Sequence, residues 1–136
     1  MIVDFLKGAC PPAQNVVQAA SNGALLIATS ALAEVEVAML PTREDDLGVI
    51  DEFFAQPYVF VVPFSRPIRS TARDLVRKFH LRAADAIYVA SAINKGVPTF
   101  ETMDGQVLSK LSSLPGLTVT KPFPPGPPQQ LKMNLP

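Results

Sequence analysis

Three acidic residues lie in segments that we expect to be largely buried, and they are the residues of this sequence best able to do chemistry. Glu34 lies in the run TSALAEV (29–35), Asp85 in LRAADAIYVA (81–90), and Asp104 ends VPTFETMD (97–104). Burying an ionised carboxylate is unfavourable unless another group compensates its charge. Three such residues, each at the edge of a different predicted element, indicate a common compensator, and a divalent metal ion suits carboxylate oxygens.

The elements that must position these carboxylates alternate between short apolar strands and helices. Such alternation is typical of an α/β fold, and we expect a three-layer α/β/α domain with a central parallel sheet. Periodicity and capping residues predict strands at 25–29, 58–62, 99–102 and 117–120 and helices at 13–22, 31–40, 43–56, 65–79, 83–95 and 106–112.

Ligands of α/β sheets bind beyond the carboxyl ends of the strands. Glu34 comes one helical turn after the first predicted strand, Asp104 comes just after the third, and Asp85 lies in the first turn of its helix. Taken singly, Glu34 could lie on a solvated helix face, Asp85 could interact with a helix dipole, and Asp104 could be a turn residue before Gly105. Their common position at one sheet edge favours a metal site.

A basic stripe is the second feature. Residues 66–82 contain six of the twelve Lys and Arg residues. Four of the arginines recur every three or four positions, so they share one face of the predicted helix. The stripe could be only a solvated helix surface, but beside an acidic metal site we interpret it as a binding surface for a nucleic-acid phosphate backbone. These four residues are Arg66, Arg69, Arg73 and Arg77.

Composition limits the remaining possibilities. The 136 residues suffice for one domain, which we assign to 1–121, followed by a Pro-rich tail at 122–136 that we predict to be disordered. Net charge is zero, and the single cysteine allows neither an internal disulfide nor a cysteine-based zinc site. Because no apolar run reaches about 18 residues and no signal sequence opens the chain, we expect a soluble cytoplasmic protein without a membrane span.

Three segments resemble the PIN domain family, and within it the VapC-type toxin ribonucleases: ATSALAEV (28–35), LRAADAIYVASA (81–92) and GVPTFETMD (96–104). The resemblance runs from about residue 2 to 121. It implies a metal-dependent endoribonuclease that uses Mg²⁺ or Mn²⁺, acts as the toxin of a toxin–antitoxin pair, binds a cognate antitoxin and forms a homodimer. Glu34, Asp85 and Asp104 match three of the four acidic residues of the family, and Ser30 and Thr102 match the small hydroxyl residues beside them.

The N-terminus departs from the family pattern, which begins with a strand that ends in Asp. The segment MIVDFLKG (1–8) best matches the part of the pattern after that Asp, so the first strand and first acidic residue are expected to be missing, as in a truncated chain. Alternatively, residues 1–3 form the strand and Asp4 is the acidic residue. The loss of a metal ligand leaves a second function open, a catalytically impaired PIN-like domain that binds RNA or a protein partner.

Overall fold

The computed structural model describes residues 11–39 and 44–122, and strands and helices alternate through both ranges as predicted. The helices are α1 (Pro11–Ser21), α2 (Leu32–Glu36), α3 (Glu44–Phe54), α4 (Arg66–Phe79), α5 (Ala83–Lys95) and α6 (Gly105–Lys110), and a 3-10 turn, Val37–Met39, follows α2. The strands are β1 (Ile27–Ser30), β2 (Val59–Val62), β3 (Thr99–Glu101) and β4 (Thr118–Thr120).

The four strands pair as two parallel two-stranded sheets. β1 pairs with β2, with Ile27 opposite Val59, and β3 pairs with β4, with Thr99 opposite Thr118. The α/β class is therefore confirmed. The expected single central sheet is not seen as such, because within the described ranges β1 and β3 each use only one edge for pairing.

Backbone conformation at the helix termini explains where the helices begin and end. α4 has Pro67 in its first turn, where a missing N–H costs nothing, and it ends at His80 in the left-handed region (φ 55°). α5 ends at Gly96, also left-handed (φ 75°), a conformation that glycine adopts without steric cost. The turn at His80 brings α4 and α5 together as a tightly packed pair, and Asn94 Nδ2 donates to Thr71 Oγ1 across it at 3.2 Å.

Two clusters of buried apolar side chains pack against the sheets. One lies between α1, α3 and the first sheet and includes Val16, Ile27 and Phe53. The larger one centres on α5, whose Val89 is completely buried, and extends to Leu111 after α6. Burial of one such side chain contributes roughly 1.5–3 kcal/mol. Helix α5 contacts both β1 and β3, so it fixes the two sheets relative to each other.

Some predictions fall outside the part of the chain that the structure describes. These concern the N-terminal residues, including Asp4, and nearly all of the Pro-rich tail, residues 123–136. Among the helices of the described ranges, none is long and apolar enough to cross a membrane.

Candidate metal centre at the carboxyl ends of the strands

Two hydroxyl side chains fix the chain where it leaves β1 and β3. Ser30, the last residue of β1, is 1% exposed, and its Oγ accepts a hydrogen bond from the Leu32 N–H at 3.1 Å. Thr102 follows β3, and its Oγ1 accepts from the Asp104 N–H at 3.1 Å. Each hydroxyl thus orders the turn from a strand into the next helix. Both residues line one groove, together with Asp85.

Asp85 lies at the centre of the candidate site, in the first turn of α5. Burial and the charge of Asp104 raise the pKa of its carboxyl, and Glu36 adds to the effect, whereas Arg82 and Lys110 oppose it. A carboxyl that shares a small space with like charges is expected to behave in this way. The raised pKa agrees with the sequence-based expectation of a crowded acidic site.

Asp104 has a structural role as well as a place beside Asp85. Its Oδ1 accepts from the N–H groups of Gln106 at 2.8 Å and Val107 at 3.3 Å, which caps the N-terminus of α6. Since the cap uses only Oδ1, it leaves the other carboxylate oxygen for a ligand. Asp104 can therefore cap α6 with one carboxylate oxygen and offer the other to a ligand.

The structure does not bring Glu34 into the site, and Glu36 takes its place. Ala33 and Val37 are buried, and Glu36 lies three residues after Ala33, on the same side of α2. Glu36 lines the groove beside Asp85, whereas Glu34 is exposed, as is its neighbour Val35. On this geometry Glu36, rather than the exposed Glu34, is the acidic residue of α2 that lies in the groove with Asp85.

Two further groove residues were missed from sequence. Tyr88 follows Asp85 by three residues and so lies on the same face of α5. Its pKa is raised by burial and by Glu36, through both charge and a side-chain hydrogen bond, with a further effect of Asp85. Burial raises the pKa of Glu101 on β3 to about 7. The three-residue spacing from Asp85 could have indicated Tyr88; Glu101 had no comparable signal.

The donor set fits a hard divalent cation. Its groups are carboxylate oxygens, the ligands that Mg²⁺ and Mn²⁺ prefer. Oε1 of Glu36 is buried without a hydrogen-bond partner, and the neighbouring charges disfavour ionised Asp85. A cation would relieve both effects. Across residues 11–39 and 44–122, however, no three His, Cys, Asp or Glu side chains are grouped closely enough to hold a metal ion by themselves.

The basic stripe lies on the exposed side of α4, opposite the buried Ile68, Ala72 and Leu75. Its C-terminal end is nearest to the carboxylates, because Lys110, which acts on Asp85, donates from Nζ to the His80 carbonyl at 2.9 Å. The stripe begins at Arg66, eleven residues and about 16 Å before its last member. All four members are exposed: Arg66, Arg69, Arg73 and Arg77.

Comparison with known proteins agrees with this architecture. The family model of the PIN domain matches residues 2–113, so the chain belongs to the PIN domain family. PIN domains are α/β proteins and are typically metal-dependent nucleases that act on nucleic acid. No curated protein and no solved structure matches the chain.

Proposed function

We propose that this chain is a metal-dependent endoribonuclease whose site is built from Glu36, Asp85 and Asp104. The observation that carries the proposal is the position of Asp85 between two carboxylates that follow different strands, Glu36 after β1 and Asp104 after β3. Burial and these two carboxylates raise the pKa of Asp85, and Arg82 and Lys110 oppose the rise. Perturbed carboxyls in a groove are typical of functional sites.

In this proposal Glu36, Asp85 and Asp104 would hold Mg²⁺ or Mn²⁺, and the bound cation would lower the pKa of a water molecule and neutralise charge on the phosphate. Tyr88 orients Glu36 through their hydrogen bond. Arg82 and Lys110 lower the pKa of Asp85 and so favour its ionised form. The exposed arginines of α4 bind the RNA backbone and direct it towards the C-terminal end of that helix.

The test is cleavage of a single-stranded RNA with Mn²⁺ by the full chain and by Asp85→Asn. Cleavage by the full chain and its loss in Asp85→Asn are expected, because the substitution removes a ligand charge. Asp4→Asn should abolish cleavage equally if Asp4 completes the site. Activity retained in Asp85→Asn would refute the proposed centre.

The narrower role is that of a toxin in a toxin–antitoxin pair, acting in the cytoplasm as a homodimer until a cognate antitoxin binds it. It is supported by the resemblance of segments 28–35, 81–92 and 96–104 to VapC-type toxins. Induced expression should arrest bacterial growth, and Asp85→Asn should relieve the arrest. Equal arrest by both chains would remove the support for a nuclease toxin.

A second function is a catalytically impaired PIN-like module that binds RNA or a protein partner. It is favoured by one observation, the lack of a group of three potential ligands within the described ranges. RNA binding in the presence of Mn²⁺ without any cleavage, unchanged by Asp85→Asn, would establish this function instead of the nuclease.

A further inference from the structure

The exposed side of α4 is a basic surface that begins far from the carboxylates. This helix of 14 residues extends over about 20 Å and carries five basic residues, with Asp74 as its only acidic residue. Neighbouring arginines of the basic stripe are separated by about 4.5–6 Å along the helix axis. The stripe is thus a row of evenly spaced cations, which suits a ligand whose negative charges are also repeated.

Two further cations connect the C-terminal end of this surface with the candidate metal centre. Nζ of Lys110 donates to the carbonyl of His80, the residue that follows α4, at 2.9 Å. Lys110 and Arg82, the residue before α5, both interact with Asp85. Positive charge therefore continues from the stripe to the carboxylates.

An exposed aromatic ring lies at the opposite end of α4. Phe64 precedes the first arginine of the stripe by two residues. The Ser65 N–H donates to the Pro63 carbonyl at 3.0 Å, so Phe64 is the central residue of a three-residue turn. Its side chain is 51% exposed and belongs to neither of the two apolar clusters. The ring of Phe64 is therefore accessible to a ligand.

Phe60 provides a contrast, because its side chain is exposed to a similar extent, 47%. Nζ of Lys95 lies 3.6 Å from the centre of the Phe60 ring, a cation–π contact that covers one face of the ring. Among the described residues, no cation or second ring covers Phe64 in this way. Of these two rings, Phe64 is the one that can offer a face to a planar ligand.

An unpaired nucleic-acid strand combines the two chemical groups that this surface fits. Its phosphates suit the arginines, and its bases stack on aromatic side chains. The faces of the bases are accessible to a side chain only where the strand is unpaired. A flexible acidic protein segment would match the arginines but would give Phe64 no planar partner.

We propose that α4 carries a secondary binding site for RNA, in which Phe64 stacks on one base and the basic stripe binds the phosphates between that base and the carboxylates. The identity of the ligand as RNA rests on the proposed function. The two ends of the site are about 20 Å apart, which corresponds to about six nucleotides of a stacked strand at about 3.4 Å each. The chain therefore cuts RNA at a set distance from the base that Phe64 holds.

Tryptophan fluorescence tests the base contact, since the chain contains no tryptophan of its own. Phe64→Trp should bind single-stranded RNA in EDTA, and its fluorescence should be quenched on binding, because stacking does not need the metal ion. Phe60→Trp, the matched control, should bind equally without quenching. Binding without quenching in Phe64→Trp, or equal quenching in both variants, would refute the stacking site.

Affinities of alanine variants test the same contact. Phe64→Ala should weaken RNA binding about 5- to 100-fold, the range expected for the loss of one base stack, and Phe60→Ala should leave it unchanged. The unmodified chain and Phe64→Ala should bind an abasic RNA of the same length equally, because no base remains to stack. If polyglutamate bound as tightly as RNA at the same salt concentration, the stripe would instead be a surface for acidic protein segments.

The length of the substrate separates this site from the cleavage centre. When RNA is lengthened one nucleotide at a time on one side of the cleavage position, kcat/KM should rise until about six nucleotides are present and then stay constant. Phe64→Ala should remove the last part of that rise. Equal cleavage of short and long RNA would refute the secondary site and leave the nuclease in place. Binding that depends on Phe64 without any cleavage would refute the nuclease and leave the secondary site in place.

Discussion

Replacement of Glu36 by Gln, with Glu34→Gln as its matched control, is the sharpest test of the proposed centre. Both changes remove one negative charge from the same short helix and keep the side-chain shape. Only Glu36 lines the groove and interacts with Asp85 and Tyr88, whereas Glu34 is exposed. If the carboxylates hold a metal ion, the two substitutions must have different effects.

The expected magnitude for metal binding depends on the position of Glu36. Loss of a group that only supports a metal ligand costs about 10–100-fold in affinity, and loss of a ligand should cost at least as much. Glu36→Gln should therefore weaken Mn²⁺ binding by at least about 1.4–2.7 kcal/mol and reduce RNA cleavage. Glu34→Gln should leave both unchanged.

Stability in EDTA should move in the opposite direction. Oε1 of Glu36 is buried without a partner, and its charge raises the pKa of Asp85. A neutral amide removes that repulsion, so the free energy of unfolding should stay equal or rise by about 1 kcal/mol. Glu34→Gln should change it by less than about 0.5 kcal/mol.

The measurements are calorimetric titration with Mn²⁺, cleavage of a fluorescent single-stranded RNA, and urea unfolding in EDTA. Equal loss of Mn²⁺ affinity in both variants, or wild-type affinity in Glu36→Gln, would show that the groove carboxylate is not a ligand. A large loss of stability in Glu36→Gln would instead show that its role is structural.

Single interactions elsewhere in the chain give three other predictions. Asp104→Ala should lower the free energy of unfolding by about 1 kcal/mol, because it removes the cap of α6. Asp104→Asn keeps an acceptor oxygen and should retain most of the stability that the cap provides. Urea unfolding of both variants measures the difference. Arg77→Ala should weaken RNA binding more than Arg66→Ala, because it lies nearer the carboxylates, and should flatten the slope of log affinity against log salt by about 0.7. Native Glu101 keeps its proton to about pH 7, whereas the unfolded chain releases it near 4.5, so this residue's contribution to stability falls as pH rises between those values. Relative to Glu101→Gln, the unfolding free energy of the wild type should decline by up to about 3 kcal/mol over that range, and an equal pH dependence of the two chains would contradict it.

Most of the fold could be predicted because local signals were strong. Pro67 and Gly96 mark the start of α4 and the end of α5, and both helices are found within a residue of their predicted bounds. The pairing of the strands within residues 11–39 and 44–122 as β1 with β2 and β3 with β4 could not be predicted from local patterns, since strand pairing depends on which segments meet in space.

The site residues were harder to predict where two acidic residues lie close together in the sequence. Glu34 and Glu36 both lie among apolar residues, so hydrophobicity does not distinguish them. Which of the two enters the groove depends on which helix face is buried, and Glu36 lies on the same side of α2 as the buried Ala33. Val35, an apolar residue that is 67% exposed, shows why composition alone misleads in this segment.

The charges around Asp85 favour a role in function over a role in stability. A carboxylate in the first turn of a helix normally gains from the helix dipole, which favours its charged form. Here burial and the neighbouring carboxylates outweigh that gain and the two cations, and the pKa of Asp85 is raised. A residue retained only for stability would not be placed among like charges when a neutral side chain would remove the repulsion. Under the proposed function, a divalent cation bound to these oxygens would remove the repulsion, and we therefore expect Mn²⁺ to raise the free energy of unfolding of the chain.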